Sequence, residues 1–156
     1  MTYLGLSGTG LGDAGASALA AALSHGALPK LQNLNIGDSF LGDEGLAALA
    51  GPLRRRPAFK QLYLNNNRIG DAGVAALFDN LGDKELKPLE TLFMYGNQVG
   101  DAGCATLTAA IDGATLPALT PALGTNPVDC NPASDAARRA VLDALRANED
   151  RRAGAS

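Results

Sequence analysis

Large apolar residues recur along this chain in short alternating runs, and each run is followed by apolar residues at helical spacing. Over residues 61–73 the alternation places Leu62 and Leu64 on one side, and the run ends in three asparagines. Alternation of this kind predicts a short strand with one buried face. Further on, Leu77 and Leu81 lie four residues apart, which predicts a helix with one apolar face. The segment therefore predicts a strand–turn–helix unit.

The same unit recurs along most of the chain at a nearly constant spacing. One column of polar residues marks the turn: Thr9, Ser39, Asn67, Asn97 and Asn126. A Gly-Asp-x-Gly sequence follows the turn in the first four units, with the aspartate at Asp13, Asp43, Asp71 and Asp101. The two columns keep the same period. A fixed period of this kind is the signature of a solenoid, in which each repeat buries its apolar face against its neighbours.

These strand leucines, turn asparagines and Gly-Asp-x-Gly sequences resemble the leucine-rich repeats of the ribonuclease-inhibitor type. The resemblance covers almost the whole chain. It implies an α/β leucine-rich repeat solenoid, a short right-handed arc with a parallel β-sheet on the concave side and α-helices on the convex side. We expect a single domain, residues 1–156, of about five repeats, the last with a C-terminal capping helix that starts at Ser134; the expected boundaries are 1–30, 31–58, 59–88, 89–117 and 118–156.

Two polar columns are expected to hold the repeats together. The resemblance implies that turn asparagines bond backbone groups of their own and adjacent repeats, a structural role that we assign to Asn67, Asn97 and Asn126. The second column of structural residues stands at the predicted helix starts: Asp13, Asp43, Asp71 and Asp101. A carboxylate there can accept hydrogen bonds from free N–H groups and suits the positive end of the helix dipole. The flanking glycines are expected to permit a tight turn and a close approach of helix to sheet.

Composition and charge narrow the function without naming it. The net charge is −3 and only 19% of residues are charged, so the concentrated Lys/Arg face of a nucleic-acid-binding protein is not expected. No apolar run reaches the roughly 20 residues of a membrane span, so we expect no membrane association. Two cysteines and the lack of a secretion signal at the start of this sequence favour a cytoplasmic protein.

Residues that could support catalysis are scarce. The single histidine, His25, and the two cysteines, Cys104 and Cys130, are far apart in the sequence. Neither a nucleophile–base pair nor a set of metal ligands can be assembled from them. We therefore predict no enzyme activity, no cofactor and no metal. The one basic run, residues 54–56, is interpreted as a solvated helix end, with a partner-binding patch as the alternative.

The residues between the strand leucines are expected to face outward on the concave side, because successive strand side chains alternate between faces. Three of them are aromatic: Tyr63, Phe93 and Tyr95. Amide side chains surround these positions: Asn33, Asn35, Gln61, Asn65 and Asn66. Aromatic pairs across strands can stabilise the sheet itself by roughly 0.2–1 kcal/mol. Exposed aromatic residues within a polar rim are, however, typical of a protein-binding hot spot.

We therefore expect a non-catalytic protein–protein interaction module that binds a protein partner, of unknown identity, on its concave face. Two alternatives stay open, because such repeats are similar to those of other families. GTPase-activating proteins of the Ran nuclear-transport GTPase would imply a regulator of a small GTPase. The repeat domains of NOD-like receptors would imply an excerpt of a larger receptor or scaffold. No capping segment precedes the first strand in this sequence, so self-association through that uncapped strand is a further expectation.

Overall fold

The structure is a computed structural model that describes residues 1–121 and 127–155, and strands and helices alternate along it. The strands are short: β1 (Tyr3–Gly5), β2 (Asn33–Asn35), β3 (Gln61–Tyr63) and β4 (Thr91–Phe93). A helix follows each strand: α1 (Gly12–Ser24), α2 (Asp43–Arg54), α3 (Asp71–Phe78) and α4 (Asp101–Asp112). A longer helix, α5 (Asp135–Gly154), comes last. Within the described ranges, no helix combines the length and the apolar character needed to cross a membrane.

The four strands form one parallel sheet whose spatial order follows the chain, β1-β2-β3-β4. The register places Leu4, Leu34, Leu62 and Leu92 side by side, so the strand leucines form one row beneath the sheet. The residues on either side of each leucine lie on the opposite face, away from the helices, which we call the concave face. The predicted α/β solenoid, with a parallel sheet on one side and helices on the other, is confirmed.

The core lies between the sheet and the helices. In the third repeat it takes one residue of β3, the residue after that strand, one residue after the turn and two from the helix, all fully buried: Leu62, Leu64, Ile69, Val74 and Leu77. Each such leucine contributes on the order of 1.5–3 kcal/mol by its burial. Among the described elements, each helix contacts the helices next to it in sequence, so stability arises mainly between adjacent repeats.

The turn asparagines bond their own turn and the preceding repeat. Asn67 Oδ1 accepts hydrogen bonds from the N–H groups of Ser39 at 3.0 Å and Leu41 at 2.9 Å. Its Nδ2 donates to the carbonyl oxygens of Ile36 at 2.7 Å and Leu64 at 3.1 Å. The side chain therefore satisfies buried backbone groups of two repeats, and losing one such partner costs about 1–3 kcal/mol.

Asn97 and Asn131 play the same part in the following turns. Asn97 Oδ1 accepts the N–H of Ile69 at 3.0 Å, and Asn131 Oδ1 accepts the N–H of Val99 at 2.8 Å. The equivalent bonds of the fifth repeat thus belong to Asn131. Asn126, the residue predicted for this place, lies outside the described residues.

The repeat spacing changes before the last turn, which explains why a constant spacing predicts Asn126 rather than Asn131. The N–H of Thr120 donates to the carbonyl oxygen of Glu90 at 3.3 Å, as the N–H of Glu90 does to Lys60 at 2.8 Å. The step from Glu90 to Thr120 therefore keeps the earlier period, whereas the step from Asn97 to Asn131 is longer. The sequence between Thr120 and Asn131 is longer than the equivalent stretch from Glu90 to Asn97. A constant period therefore predicts the turn too early in the sequence.

The aspartates at the helix starts do not cap their own helices, so that part of the prediction is wrong. Within the described residues, no side-chain cap bond is found at the start of α1, α2, α3 or α4. Asp43 Oδ1 instead accepts the N–H groups of Gly70 at 2.7 Å and Gly73 at 2.9 Å, at the start of the next helix. Asp13 and Asp71 each accept the two equivalent N–H groups at the start of the helix in the repeat that follows their own. Each of these carboxylates caps the helix of its neighbour.

The last aspartate of the column meets a different helix start. Asp101 Oδ1 accepts the N–H of Ser134 at 2.6 Å, and the hydroxyl of Ser134 accepts the N–H of Ala137 at 3.1 Å. The predicted start of the final helix at Ser134 is confirmed. One serine hydroxyl thereby takes over one of the two bonds that a carboxylate makes in the inner repeats.

The glycines of the motif make room for these carboxylates. A Cβ atom at Gly73 would lie 2.6 Å from Asp43 Oδ1, so the carboxylate would have to move to accommodate a side chain there. The first glycine of the motif was expected to permit a tight turn, but among its four positions φ is positive only at Gly12. It lies between −97° and −108° at the other three: Gly42, Gly70 and Gly100. Proximity to the preceding aspartate, rather than backbone conformation, distinguishes those positions.

The basic run at the end of α2 is bound to neighbouring repeats, so its interpretation as a solvated helix end is wrong. Arg54 forms a 2.7 Å ion pair with Glu85 and also donates to carbonyl oxygens at the end of α3. Arg56 is buried and donates to carbonyl oxygens at the end of α1, including that of Leu23 at 3.0 Å. Of the three arginines, Arg55 alone is exposed.

Candidate functional site

Three aromatic rings form a cluster on the concave face, which we call the aromatic cluster: Tyr63, Phe93 and Tyr95. Tyr63 and Phe93 are register partners on β3 and β4, and their rings stack with centroids 5.2 Å apart and planes 17° apart. Tyr95 meets Phe93 edge-on, with centroids 6.1 Å apart and planes at 87°. Adjacent strands lie about 4.8 Å apart, so the parallel register itself brings the first two rings into stacking distance.

The cluster is held in place and still open to solvent. The hydroxyl of Tyr63 donates to Gln61 Oε1 at 3.1 Å, on the same strand. Tyr63 and Phe93 are half-buried, whereas Tyr95 is exposed over 38% of its surface. Ring pairs of this geometry contribute about 0.5–1.5 kcal/mol beyond their buried area. The rings therefore form a rigid apolar surface rather than three independent side chains.

The predicted amide side chains lie around the cluster in two settings. Asn33, Asn35 and Gln61 are half-buried on β2 and β3, and Asn35 Oδ1 accepts the N–H of Gly37 at 3.0 Å. Asn65 is half-buried two residues after the end of β3, and a Cβ atom at Gly37 would lie 2.9 Å from its Nδ2. The structure thus places these four amides on the concave side of the second and third repeats, with Asn35 the register partner of Tyr63.

Asn66 lies apart from the other amides, in the turn at the end of β3. It is exposed and adopts the left-handed conformation, with φ of 55°. Its carboxamide oxygen points over Gly96 of the next repeat, where a Cβ atom would collide with it. Asn66 therefore lies at the margin of the concave face, close to Tyr95.

The concave face carries little net charge. Lys60 and Glu90, at the entry to neighbouring strands, form an exposed ion pair at 3.4 Å. Asp129 is exposed. Its carbonyl oxygen accepts the N–H of Gly96 at 3.2 Å, which places Asp129 next to the residue that follows Tyr95. Sequence reasoning missed Asp129 as a neighbour of the cluster, since the shift of period in the fifth repeat hides its alignment.

The candidate reactive residues lie in different parts of the fold. Cys104 is buried in the core, and burial, assisted by the carboxylates of Asp101 and Asp71, raises its pKa to about 11. Its thiol is protonated at neutral pH and is a poor nucleophile. Cys130 is exposed in the last turn, and His25 Nδ1 donates to a carbonyl oxygen of α1 at 2.7 Å. In the described ranges, no group of three or more His, Cys, Asp or Glu side chains is arranged to hold a metal.

Three features define the class of protein as a β/α repeat solenoid. They are the stacked strand–helix units, the asparagine in the turns and the carboxylates that bridge successive repeats. A leucine-rich repeat family model matches residues 1–20, 27–50 and 59–78. The matched residues are leucine-rich repeats, and the chain is similar to leucine-rich repeat proteins of the ribonuclease-inhibitor-like type.

Two curated relatives are ribonuclease inhibitors. The chain is 32% identical over 87 residues to the ribonuclease inhibitor of Mus musculus, a match that covers 56% of this chain and 19% of the inhibitor. It is 33% identical over 85 residues to that of Sus scrofa, with 54% and 18% covered. The chain thus spans less than a fifth of the length of the curated relatives it matches.

A solved structure shares the fold over nearly the whole chain. The actin-binding site 2 of leiomodin-1 superposes with a TM-score of 0.73 and 15% sequence identity. The superposition covers 99% of this chain and 84% of that one. At this level of identity the likeness shows the fold alone.

Proposed function

We propose that this chain is a non-catalytic recognition module that binds a protein partner on its concave face. The observation that carries the proposal is the aromatic cluster, because the Phe93 ring contacts both tyrosine rings and the three stand partly open to solvent. Tyrosine and other aromatic residues are enriched at the energetically dominant centres of protein interfaces. The ribonuclease inhibitors and the actin-binding site found among the similar proteins are named for protein targets, which supports the same class of partner.

The proposed binding energy is divided between apolar anchors and a polar rim. Tyr63, Phe93 and Tyr95 are the proposed anchors, and their ordering before binding lowers the entropy that association must remove. The amides of the concave face are the proposed polar rim: Asn33, Asn35, Gln61, Asn65 and Asn66. Because the strand residues on either side of the strand leucines carry no charged side chain, binding should depend weakly on salt concentration.

Affinity capture from cytosolic extract of the source organism tests the proposal, since the sequence predicts a cytoplasmic protein. Wild type is compared with the triple variant Tyr63→Ala, Phe93→Ala, Tyr95→Ala and with Tyr3→Ala. Tyr3 is an exposed aromatic residue on the same sheet, two strands from Tyr63, and serves as the matched control. We expect a protein that wild type and Tyr3→Ala retain and the triple variant loses, with purified-partner affinity reduced at least 30-fold, about the effect of one hot-spot residue.

Several outcomes decide between the candidate functions. Equal capture by wild type and by a triple variant that circular dichroism shows to be folded would overturn the concave-face proposal. A small GTPase among the cluster-dependent proteins, with GTP hydrolysis accelerated by this chain, would establish the regulatory alternative instead. A partner whose affinity falls steeply with salt would place the binding energy in charged residues outside the aromatic cluster.

A further inference from the structure

One aromatic residue outside the concave face is held outward by its neighbours. Phe40, in the loop between β2 and α2, is exposed over 62% of its surface. The residues on either side of it, Ser39 and Leu41, are fully buried, and both of their N–H groups donate to Asn67 Oδ1. With both flanking residues anchored from one oxygen atom, the backbone presents residue 40 to solvent in one conformation.

That conformation is unfavourable for a phenylalanine. Phe40 has φ of 57°, in the left-handed region that favours glycine, and its equivalent in the first repeat is Gly10, with φ of 66°. The equivalent residues of the third and fourth repeats, Arg68 and Gln98, are not in this region. A strained backbone at an exposed aromatic residue that supports no core contact is typical of a position used for binding.

The exposed ring is paired with an arginine of the next repeat. The guanidinium carbon of Arg68 lies 5.0 Å from the centroid of the Phe40 ring, and the N–H of Arg68 donates to the carbonyl oxygen of Leu41 at 2.8 Å. None of the ion pairs found in the described residues involves Arg68. A guanidinium stacked on a ring keeps its in-plane N–H donors free, and these match a carboxylate in a bidentate arrangement.

We propose that Phe40 and Arg68, the Phe40–Arg68 pair, form a second interaction site that binds a protein partner through one carboxylate beside one apolar side chain. The carboxylate pairs with Arg68, and the apolar side chain covers the open part of the Phe40 ring. Asp38 and Asn66 are the exposed polar residues of the same two loops. The negative charge of Asp38 disfavours a run of several carboxylates, so the complementary segment carries an isolated Asp or Glu next to an apolar residue.

A displayed library of random short peptides provides an unbiased probe of this site. The library is selected in parallel on immobilised wild type, Phe40→Gly, Arg68→Gln and the triple alanine variant of the aromatic cluster. We expect wild type to enrich peptides in which a single carboxylate is adjacent to an apolar residue. Both Phe40→Gly and Arg68→Gln should lose this enrichment, and the triple variant should keep it.

An enriched peptide and its analogue with the carboxylate replaced by an amide are then titrated by fluorescence anisotropy. Wild type should bind the acidic form at least tenfold more tightly than the amide form, and Arg68→Gln should bind the two equally. Glycine suits the backbone at position 40, so Phe40→Gly should unfold at the temperature of wild type or above it. This variant therefore separates loss of binding from loss of folding.

The opposite results would overturn the proposal. Carboxylates that are not enriched on wild type, or enrichment that survives Arg68→Gln, would show that the pair does not recognise an acidic group. Enrichment lost in the triple variant but kept in Arg68→Gln would assign the peptides to the concave face. A Phe40→Gly protein that binds normally but melts well below wild type would show that the ring and guanidinium serve only the fold.

Discussion

At the residue scale, an aspartate and a glycine from successive repeats act as one unit. The carboxylate of Asp43 occupies the space that a side chain at position 73 would need, and it bonds the N–H of Gly73 itself at 2.9 Å. The same relation links Asp71 with Gly103. Glycine is required here by a neighbour in the preceding repeat, because the backbone must come within hydrogen-bonding distance of the carboxylate.

Two glycine-to-alanine substitutions should therefore differ in their effect on stability. Gly73→Ala pushes a methyl group against Asp43 and weakens two hydrogen bonds to a charged group, so we expect a loss of about 3 kcal/mol of unfolding free energy. Gly154→Ala lies at the end of α5, where no atom outside its chain neighbours and its own helix backbone is within 4 Å of a new Cβ, and it should stay within about 0.5 kcal/mol of wild type. Urea denaturation of the two variants and wild type measures both effects.

One stability of the Gly73→Ala protein would contradict the role given to the Asp43 carboxylate. A Gly73→Ala protein within about 0.5 kcal/mol of wild type, the range of ordinary surface substitutions, would show that the carboxylate moves aside without cost. In that case the inter-repeat cap contributes little, and the glycine would need another explanation.

At the element scale, helix ends are joined to their neighbours by arginine. Arg54 at the end of α2 reaches Glu85, in the loop after α3, with its Nη2 2.7 Å from the carboxylate. A hydrogen bond from the N–H of Gly82, and next the bond from Arg54, lower the pKa of Glu85 below its ordinary 4.5. Sequence reasoning treated these arginines as solvated because their acceptors belong to other repeats, far from them in the sequence.

The Arg54–Glu85 contact should make stability dependent on pH in the acid range. A carboxylate with a lowered folded-state pKa stabilises the fold fully above its unfolded value of 4.5, and this contribution is lost as the pH falls through the folded value. The melting temperature of wild type should therefore exceed that of Glu85→Gln by a constant amount at neutral pH. The difference should shrink steadily once the pH drops below about 4.5.

Thermal unfolding followed by circular dichroism across this pH range measures the difference. Glu90→Gln is the matched control, because Glu90 forms a longer ion pair of 3.4 Å with both side chains nearly half exposed. Exposed pairs of that kind contribute little at any pH. A Glu85→Gln deficit that stays the same in strong acid would contradict the assignment of stability to the charged carboxylate.

At the scale of the whole molecule, burial is uneven along the row of repeats. The strand leucines of the first repeat are half-exposed, whereas their equivalents in the second, third and fourth repeats are buried almost completely. Among the described elements, helices contact their neighbours in sequence rather than distant ones. An array of this kind opens locally where the fewest contacts are made.

Hydrogen exchange should therefore be graded along the chain. Peptides from β1 and α1 should lose protection first, and those from α2, α3 and α4 should hold it longest, because the latter are packed on both sides. Exchange followed by mass spectrometry at several denaturant concentrations resolves the order. Uniform protection from residue 3 to residue 112 would instead indicate a single cooperative unit.

The sequence predicted the fold and the composition of the concave face, because both depend on local geometry. Strand residues alternate between faces whatever the neighbour, so the rings of Tyr63 and Phe93 had to share the side opposite the buried leucines. Their stacking, with 5.2 Å between centroids, and the edge-on position of Tyr95 could not be predicted, because they depend on register and on side-chain rotation.

By itself the sequence determined the α/β repeat architecture, the parallel order of the strands and the apolar rows, since a nearly constant period with alternating leucines permits no other regular stacking. Only the tertiary structure decided which groups the polar side chains meet. Asp43 caps the helix of the next repeat, Asn131 closes the last turn and Phe40 stands outward beside Arg68. Each of these contacts joins residues of successive repeats, and their separation in space is defined only once the repeats have stacked.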